Sequence, residues 1–167
     1  MSSYLTKHLK PLVRWNDSML DLCCGPCMPT KDVECRTKIG VDLNPEVMAE
    51  AGKYCIPMLA DVGKIGEIFR PKSFDVVMWL DGIEHLENDA AVEALGVAEK
   101  IAKRMIVVFT PVDKVFFDLE DEFLRHRSFF PTSFWTERGY DTASFKTGGC
   151  FGRTEPIHMV LAVKRFK

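Results

Sequence analysis

The residues from Met19 to Cys27 include the side chains in this sequence that are best suited to chemistry. They read Met-Leu-Asp-Leu-Cys-Cys-Gly-Pro-Cys. The apolar residues on both sides of Asp21 predict a buried parallel strand, and the small residues after it predict a turn whose backbone approaches a ligand. Within that turn, Cys24-Gly25-Pro26-Cys27 also has the spacing of a redox-active Cys-x-x-Cys pair. The stretch therefore predicts either a nucleotide-binding turn or a thiol oxidoreductase.

The residues after this turn favour the nucleotide site. A redox-active pair needs a long helix directly after it, because the amino end of that helix stabilises the attacking thiolate. Here Met28-Pro29-Thr30-Lys31-Asp32 follows, and Ile39-Gly40-Val41-Asp42 already predicts a second strand, so at most one or two helical turns fit between the strands. Asp42 follows Asp21 by about 20 residues, the separation at which a carboxylate can accept hydrogen bonds from ribose hydroxyls.

Both strand ends resemble a known family. Met19 to Pro26 resembles the first motif of class I S-adenosylmethionine-dependent methyltransferases, and Ile39-Gly40-Val41-Asp42-Leu43-Asn44-Pro45 resembles their second. The resemblance implies an α/β, Rossmann-like fold with a mostly parallel seven-stranded sheet in the order 3-2-1-4-5-7-6 and a reduced amino-terminal lid. It implies S-adenosylmethionine as the cofactor, with Asp61 on the adenine amino group and Ala60 and Val62 lining the ring. The cofactor-binding residues implied in this way are Asp21, Cys23, Gly25, Asp42, Leu43, Ala60, Asp61, Val62 and Leu80.

The first motif departs from the family pattern at two positions. The family usually has three glycines there, whereas Cys23 and Cys27 occupy the first and third positions in this sequence. The loss of these glycines leaves a second interpretation open, in which a degenerate methyltransferase fold binds a partner without performing chemistry. The thiol oxidoreductase remains a third interpretation.

Composition narrows the class of protein further. The 167 residues, 47% hydrophobic and 28% charged, predict one compact domain over 1–167, with a lead-in segment at 1–17 and a substrate-side insertion at 113–131. The net charge of −2 offers no general attraction to nucleic acid or anionic lipid, so we expect a small-molecule or carrier-bound acceptor. No apolar run predicts a signal peptide or a membrane span, and we expect a cytoplasmic protein.

The six cysteines are expected to be reduced thiols in that compartment. Zinc is an alternative for four of them, Cys23, Cys24, Cys27 and Cys35. However, the sequence has no second Cys-x-x-Cys or histidine pair that would complete a tetrahedral site. The sequence therefore predicts no zinc centre.

The remaining elements follow from periodicity and from turn residues. Asn44 should cap a helix from Pro45 to about Lys53, and Pro57 should confine the third strand to a sheet edge. Leu5, Leu9, Leu12 and Val13 should cover an edge of the sheet, and Phe116, Leu119 and Phe123 have the spacing of a core stripe on a surface helix. The other predicted elements are strands at Ser73–Asp81, Met105–Phe109 and Ile157–Lys164, a helix over Asn88–Arg104, and a last helix capped by Thr132 that runs through Arg138.

Candidate catalytic residues follow the fourth strand. If the acceptor is a hydroxyl, a base must take its proton, and Asp81, His85 and His126 are the candidates for that base. The sequence Asp81-Gly82-Ile83-Glu84-His85 also resembles the Glu-x-x-Glu-His metal pattern of some O-methyltransferases, with Asp81 in place of the first glutamate. This leaves open a divalent-metal site at Asp81, Glu84 and His85. The sequence does not decide whether oxygen or nitrogen is methylated.

Overall fold

In the sheet of this protein, the carboxyl ends of three adjacent strands lie next to one another. The structure, a computed structural model, describes residues 2–113, 122–147 and 156–167. Within these residues one seven-stranded sheet has the order β3-β2-β1-β4-β5-β7-β6, as expected. The strands are β1 (Ser18–Leu22), β2 (Thr37–Asp42), β3 (Ile56–Leu59), β4 (Phe74–Leu80), β5 (Ala102–Pro111), β6 (Asp141–Thr147) and β7 (Ile157–Arg165).

The pairing of the strands determines which residues meet at these carboxyl ends. From β3 to β5 all neighbours are parallel, whereas β7 is antiparallel to both β5 and β6. Leu22 is in register with Val41 on one side and with Trp79 on the other. The turns after β1, β2 and β4 therefore emerge next to one another, which is where ligands bind in open α/β sheets.

Short helices connect most of the strands. They are α1 (Ser2–Leu9), α2 (Pro45–Ala51), α3 (Ile65–Ile68), α4 (Asn88–Ile101) and α5 (Thr132–Glu137). As predicted, Asn44 caps α2, since its Oδ1 accepts the Glu46 N–H at 2.9 Å. Residues 23–36 contain no helix, within the expected limit of two turns. None of the helices in the described segments is long and apolar enough to cross a membrane.

Alternating side chains of the central strands build a core on each face of the sheet. Val77 and Trp79 of β4 contact the cluster that includes Leu95 of α4 and Trp135 of α5. Val76, Met78 and Leu80 point to the other face, in a cluster that includes Leu5 and Leu9 of α1. The lead-in segment thus covers a face of the sheet, not an edge as predicted, because its two leucines reach buried residues of the central strands.

Two predicted element boundaries are wrong, and two further helix predictions are close to the structure or lie largely outside the described residues. Helix α4 ends at Ile101, and β5 begins at Ala102 because Ala102 already pairs with Phe74 of β4. The Arg104 side chain donates to the Leu12 carbonyl at 3.0 Å and pairs with Asp17. Pro131, not Thr132, occupies the N-cap of α5, and no side chain caps that helix.

The other two concern the helices that follow β2 and β5. Helix α2 ends at Ala51, with Gly52 at its C-cap. The stripe predicted over 113–127 falls largely on 114–121, which lie outside the described residues, as do Phe116 and Leu119; the described part, Glu122–Leu124, is a 3₁₀ turn.

Candidate functional site

A cavity of about 530 Å³ opens at the carboxyl ends of β1, β2 and β4. This volume lies within the range of pockets that hold small molecules and cofactors. The walls come from five chain segments: Cys23, Gly25 and Pro26; Val41, Asp42, Leu43, Asn44 and Val47; Ala60, Asp61 and Val62; Asp81, His85 and Leu86; and Glu122, Phe123, Leu124 and Arg127.

The turn after β1 has the backbone that the missing glycines would have. Cys23 and Cys27 have φ values of +51° and +58°, and Gly25 between them has +50°. This left-handed region costs a residue with a Cβ about 1 to 2 kcal/mol. The two cysteines therefore retain the expected turn and carry strain that glycine would avoid.

Asp42 organises the end of β2. Its Oδ2 accepts the Gly25 N–H at 2.8 Å, and its Oδ1 accepts the Asn44 N–H at 2.9 Å. The carboxylate therefore joins the turn after β1 to the turn after β2. A carboxylate oxygen has a second lone-pair direction, so each can accept a further hydrogen bond from a ligand in the cavity.

Asp61 lies at the end of β3 and has a structural contact of its own. Its Oδ1 accepts the Gly63 N–H at 2.8 Å and caps the 3₁₀ turn Val62–Lys64. Ala60 and Val62 line the cavity on either side of it, together with the apolar side chains of Leu43 and Val47. This wall offers an apolar surface with one carboxylate, which suits a flat heterocycle that carries an amino group.

Two residues expected at the cofactor lie elsewhere. Asp21 is buried beneath the turn and outside the cavity wall; its Oδ2 accepts the Thr30 hydroxyl at 2.5 Å, and Lys38 donates to the Thr30 carbonyl. Burial raises the pKa of Asp21 to about 6. Leu80 is buried in the core on the α1 side of the sheet and does not line the cavity either. Neither residue is therefore part of the cavity wall, and their roles at the cofactor stay predictions.

The turn after β4 presents one carboxylate and hides another. Asp81 lines the cavity with a left-handed φ of +58°. Glu84 is buried, and its Oε2 accepts the Thr110 hydroxyl at 3.0 Å. Burial first, and then the neighbouring Asp81 carboxylate, hold the pKa of Glu84 well above its usual range. This environment favours the neutral acid form of Glu84.

His85 is the histidine that reaches the cavity. Its Nδ1 lies 3.3 Å from the Arg125 carbonyl, which can only accept, so this contact places the ring proton on Nδ1. Nε2 then carries the lone pair. Burial lowers the pKa of His85, which also favours the neutral ring. A neutral imidazole with Nε2 unprotonated is the form that can take a proton.

His126 lies beside His85 without lining the cavity. The two ring centroids are 5.2 Å apart, and the rings meet edge to face. Possible ligand atoms of Glu84, His85 and His126 lie within 4.8 Å of one another, so these three could hold a metal ion. Among the described residues this set shares Glu84 and His85 with the metal site considered from the sequence and includes His126, but it does not include Asp81.

Backbone hydrogen bonds fix the end of the 113–131 segment against the turn after β4. The Glu84 carbonyl accepts the N–H groups of Arg127 and Ser128 at 2.7 and 3.1 Å, and Arg127 Nη1 donates to the His85 carbonyl at 2.9 Å. These bonds bring the side chains of Glu122, Phe123, Leu124 and Arg127 to the cavity. The sequence could not show this, because the two segments are about 40 residues apart.

Sequence reasoning missed several residues of this wall. Phe123, predicted as part of a core stripe, is 47% exposed and lines the cavity mouth, as does Leu124. The guanidinium nitrogens of Arg127 lie 3.6 Å from carboxylate oxygens of Glu87 and Glu122. Arg127 was not among the residues predicted for the site. The available signal was an aromatic and acidic segment directly after the fifth strand, where an insertion can cover the site.

Comparisons with known proteins agree with this geometry. The profile of the methyltransferase domain family matches residues 20–104. Among solved structures, a SAM-dependent methyltransferase from Archaeoglobus fulgidus is 18% identical with a TM-score of 0.71, over 98% of this chain and 92% of that one. Magnesium protoporphyrin IX methyltransferase from Synechocystis, solved with bound SAH, is 14% identical with a TM-score of 0.70, over 98% of this chain and 81% of that one. No curated protein matches the chain by sequence.

Proposed function

Because this chain belongs to the methyltransferase domain family, we propose that it transfers the methyl group of S-adenosylmethionine to oxygen or nitrogen of a small or carrier-bound acceptor. S-adenosylmethionine is the cofactor of the class I methyltransferases, whose sheet order this chain has. The identity of the acceptor atom and the roles of the individual residues belong to the proposal. The observation that supports the proposal is a single cavity lined by Asp42 at the end of β2 and by His85 after β4.

The residues of the cavity fit the cofactor. Asp42 can accept from ribose hydroxyls through the lone pairs that Gly25 and Asn44 leave open. Asp61 can accept from the adenine amino group, between the apolar side chains of Ala60 and Val62. No atom lies within 4 Å of a Cβ built at Gly25, so this turn leaves room for a ligand to approach its backbone.

The acidic character of the cavity suits a cationic ligand. Asp42, Asp61, Asp81 and Glu122 all line it, against Arg127 as the one permanently charged base among the described lining residues. When bound, S-adenosylmethionine supplies an electrophilic methyl group on a positively charged sulfur. The carboxylates attract that charge, and the chain's remaining task is to align an acceptor and exclude water.

His85 then acts as the base of the reaction. Its Nε2 accepts the acceptor proton as the nucleophile attacks, while the Arg125 carbonyl holds the Nδ1 proton and the orientation of the ring. Phe123 and Leu124 at the cavity mouth provide an apolar surface for the acceptor. Arg127 lies beside the carboxylates of Glu87 and Glu122, so the apolar surface is the feature of this wall that selects the acceptor.

Binding and turnover test this proposal separately. Isothermal calorimetry with S-adenosylmethionine and with its demethylated product should show one site per chain, whereas dinucleotides should bind more weakly. Formation of the demethylated product is then measured with hydroxyl and amine acceptors that have an apolar body. Cofactor binding without turnover on any hydroxyl or amine acceptor would support the degenerate fold, and a chain that binds neither compound would refute the proposal.

A further inference from the structure

Three cysteines from two separate segments meet beneath the turn after β1. Cys24 and Cys27 belong to that turn, and Cys55 lies immediately before β3. Their sulfur atoms all lie within 4.8 Å of one another, and the Sγ atoms of Cys27 and Cys55 are 3.1 Å apart. Ala51 of α2 closes this cluster, which we call the thiol cluster, together with Met48 and Tyr54.

A glycine of β2 creates the space for these sulfurs. A Cβ at Gly40 would lie 2.6 Å from Cys55 Sγ and 2.8 Å from Cys24 Sγ, closer than side chains approach one another. Both thiols therefore occupy the position that any other residue at 40 would need. The cluster is built by the strand that it lies against, and it is not a chance meeting of surface side chains, since Cys24 and Cys27 are both buried.

This set differs from the four cysteines weighed as zinc ligands from the sequence. Cys23 lines the cofactor cavity, and Cys35 packs against the core on the α1 side with its thiol 3.5 Å from the Thr37 carbonyl. The missing half of the site comes instead from Cys55, 28 residues beyond Cys27. Its place beside them depends on the pairing of β2 with β3.

The donor set of the cluster consists of sulfur alone, and a bound cation would take the place of the thiol protons. Thiolate, not thiol, is the form that binds metal ions. Soft thiolate sets select d¹⁰ cations such as Zn²⁺ and Cu⁺ over Mg²⁺ or Ca²⁺.

We propose that Cys24, Cys27 and Cys55 bind a single thiophilic d¹⁰ cation. A Zn–S bond of about 2.3 Å sets sulfur separations of about 3.8 Å in a tetrahedral site. The Sγ atoms of Cys27 and Cys55 meet this value if they move apart by less than one ångström from their 3.1 Å separation, and Cys24 Sγ lies within 4.8 Å of both. No other Cys, His, Asp or Glu joins the group within the described residues, so Zn²⁺ would need a fourth ligand from solvent, whereas Cu⁺ would be complete with three sulfurs.

The position of the ion gives it a role in the cofactor cavity. Gly25 and Pro26, which lie between the two ligands of the turn, both line the cavity. A cation on Cys24, Cys27 and Cys55 would fix that turn to the start of β3, which leads to Ala60 and Asp61 on another wall. The bound metal would therefore hold two walls of the cavity at a constant separation.

Metal analysis of the reduced full-length chain tests the proposal. After dialysis against Zn²⁺ and removal of excess ion, we expect one Zn²⁺ per chain, and Co²⁺ in its place should give sulfur-to-metal charge-transfer absorption. Cys27→Ser and Cys55→Ser should each remove most of the bound metal. Cys35→Ser is the matched control, because it removes a thiol of the same connecting segment outside the cluster, and it should retain full stoichiometry. A parallel titration with Cu⁺ decides which cation binds more tightly.

Several results would overturn the proposal. These are substoichiometric metal in the reduced chain, a Co²⁺ spectrum without charge-transfer bands, or equal loss of metal in the Cys35→Ser control. A stable disulfide between Cys27 and Cys55 in air, with no metal bound after reduction, would make the cluster a redox cross-link instead. Should the serine variants fail to fold, the stoichiometry and the Co²⁺ spectrum of the unmutated chain still decide. None of these measurements depends on methyl transfer.

Discussion

The Thr30 hydroxyl donates a 2.5 Å hydrogen bond to the carboxylate of Asp21, nine residues earlier in the chain. Lys38 donates to the carbonyl of the same threonine. Asp21, the acidic residue of the first motif, thus stabilises the connection between β1 and β2, which contains no helix. Its contribution to the cavity is to hold the turn that forms the wall.

We predict that Asp21→Asn changes the pH dependence of stability. The pKa of Asp21 is about 6 in the folded protein, whereas the pKa of an unperturbed aspartate, as in the unfolded chain, is 3.8. A raised pKa means that the folded state binds the proton more tightly, so this group's contribution to stability is complete below about pH 4 and is lost as the pH rises through 6. Asparagine keeps an oxygen for Thr30 and removes this loss, which is worth at most about 3 kcal/mol.

Chemical denaturation at several pH values between 4 and 7.5 measures this effect. The difference between the variant and the parent should grow across that range in favour of the variant. Asp32→Asn is the control, since Asp32 is an exposed carboxylate of the same connection. Parallel profiles for parent and Asp21→Asn would contradict the prediction. Other titratable groups face Asp21, namely Lys38, Asp42 and the thiols of Cys24 and Cys27. A chemical change in any of them would also shift the pKa of Asp21, so each variant is checked to confirm that these groups are unaltered.

Asp42→Ala is expected to weaken the binding of S-adenosylmethionine. The loss of a charged acceptor for two ribose hydroxyls costs about 1.5 to 3 kcal/mol, or roughly a 10- to 150-fold increase in Kd. Calorimetry measures it directly. Glu46→Ala removes an exposed charge of the neighbouring helix outside the cavity wall and should leave Kd within about twofold. If both variants bind like the parent, Asp42 does not contact the ribose.

His85→Gln should slow turnover without loosening the cofactor. Loss of a general base typically lowers kcat by about 10²- to 10⁴-fold. Once an acceptor is known, kcat is compared with the calorimetric Kd for the cofactor. His158→Gln on β7, whose ring contacts Asp113, is the matched control and should keep the parental kcat. His126→Gln should cause a smaller loss than His85→Gln, because His126 contacts the base without lining the cavity.

Mg²⁺ or Mn²⁺ should not raise turnover of chelator-treated protein. The ligand atoms of Glu84, His85 and His126 are close enough to hold such an ion. However, a base at His85 already accounts for the transfer of a proton from the acceptor, as the Arg125 carbonyl leaves Nε2 available. Hard cations bind thiolates poorly, so their addition does not act through the thiol cluster. A recovery of activity that Glu84→Gln abolishes would establish a metal-dependent mechanism instead.

The local pattern of the sequence was sufficient to locate most of the strands along the chain, whereas their order in the sheet came from the resemblance to the methyltransferase family. Apolar runs that end in an acid and a turn mark β1, β2 and β4, and Pro57 correctly placed β3 at an edge. Resemblance to a family then supplied the arrangement of the remaining strands. These signals are short-range, and parallel strands with one-directional connections have few alternative arrangements.

Contacts between distant segments could not be predicted in the same way. His126 meets His85 because the Glu84 carbonyl binds the backbone of 127 and 128, and Cys55 joins Cys27 because β2 pairs with both β1 and β3 and has a glycine between the two cysteine segments. The end of α4 was misplaced since Arg104 suits a helix terminus by charge, but Ala102 already pairs with Phe74 of β4 in the fold. In each case the deciding partner lies far away along the chain.

Gly82→Ala should destabilise the protein through a clash that Cys23→Gly relieves. A Cβ at position 82 would lie 2.5 Å from the Cβ of Cys23, and the next contact, with the Trp79 indole nitrogen, is 3.2 Å. Overpacking of this kind costs about 1 to 3 kcal/mol. Denaturation of both single variants and the double variant measures the coupling, which should exceed about 1 kcal/mol. Additive effects would show that the two positions are independent.

Because of this contact, the side chain that position 82 can carry depends on which residue occupies position 23. A chain with glycine at 23 tolerates a side chain at 82, and a chain with glycine at 82 tolerates cysteine at 23, but the combination of two side chains is unfavourable because their Cβ atoms would collide. Replacement of a glycine at 23 by cysteine is therefore least costly in a chain that has glycine at 82. The order of the two substitutions is constrained even though neither residue is adjacent to the other in sequence, and a return to glycine at 23 would reopen position 82 to change.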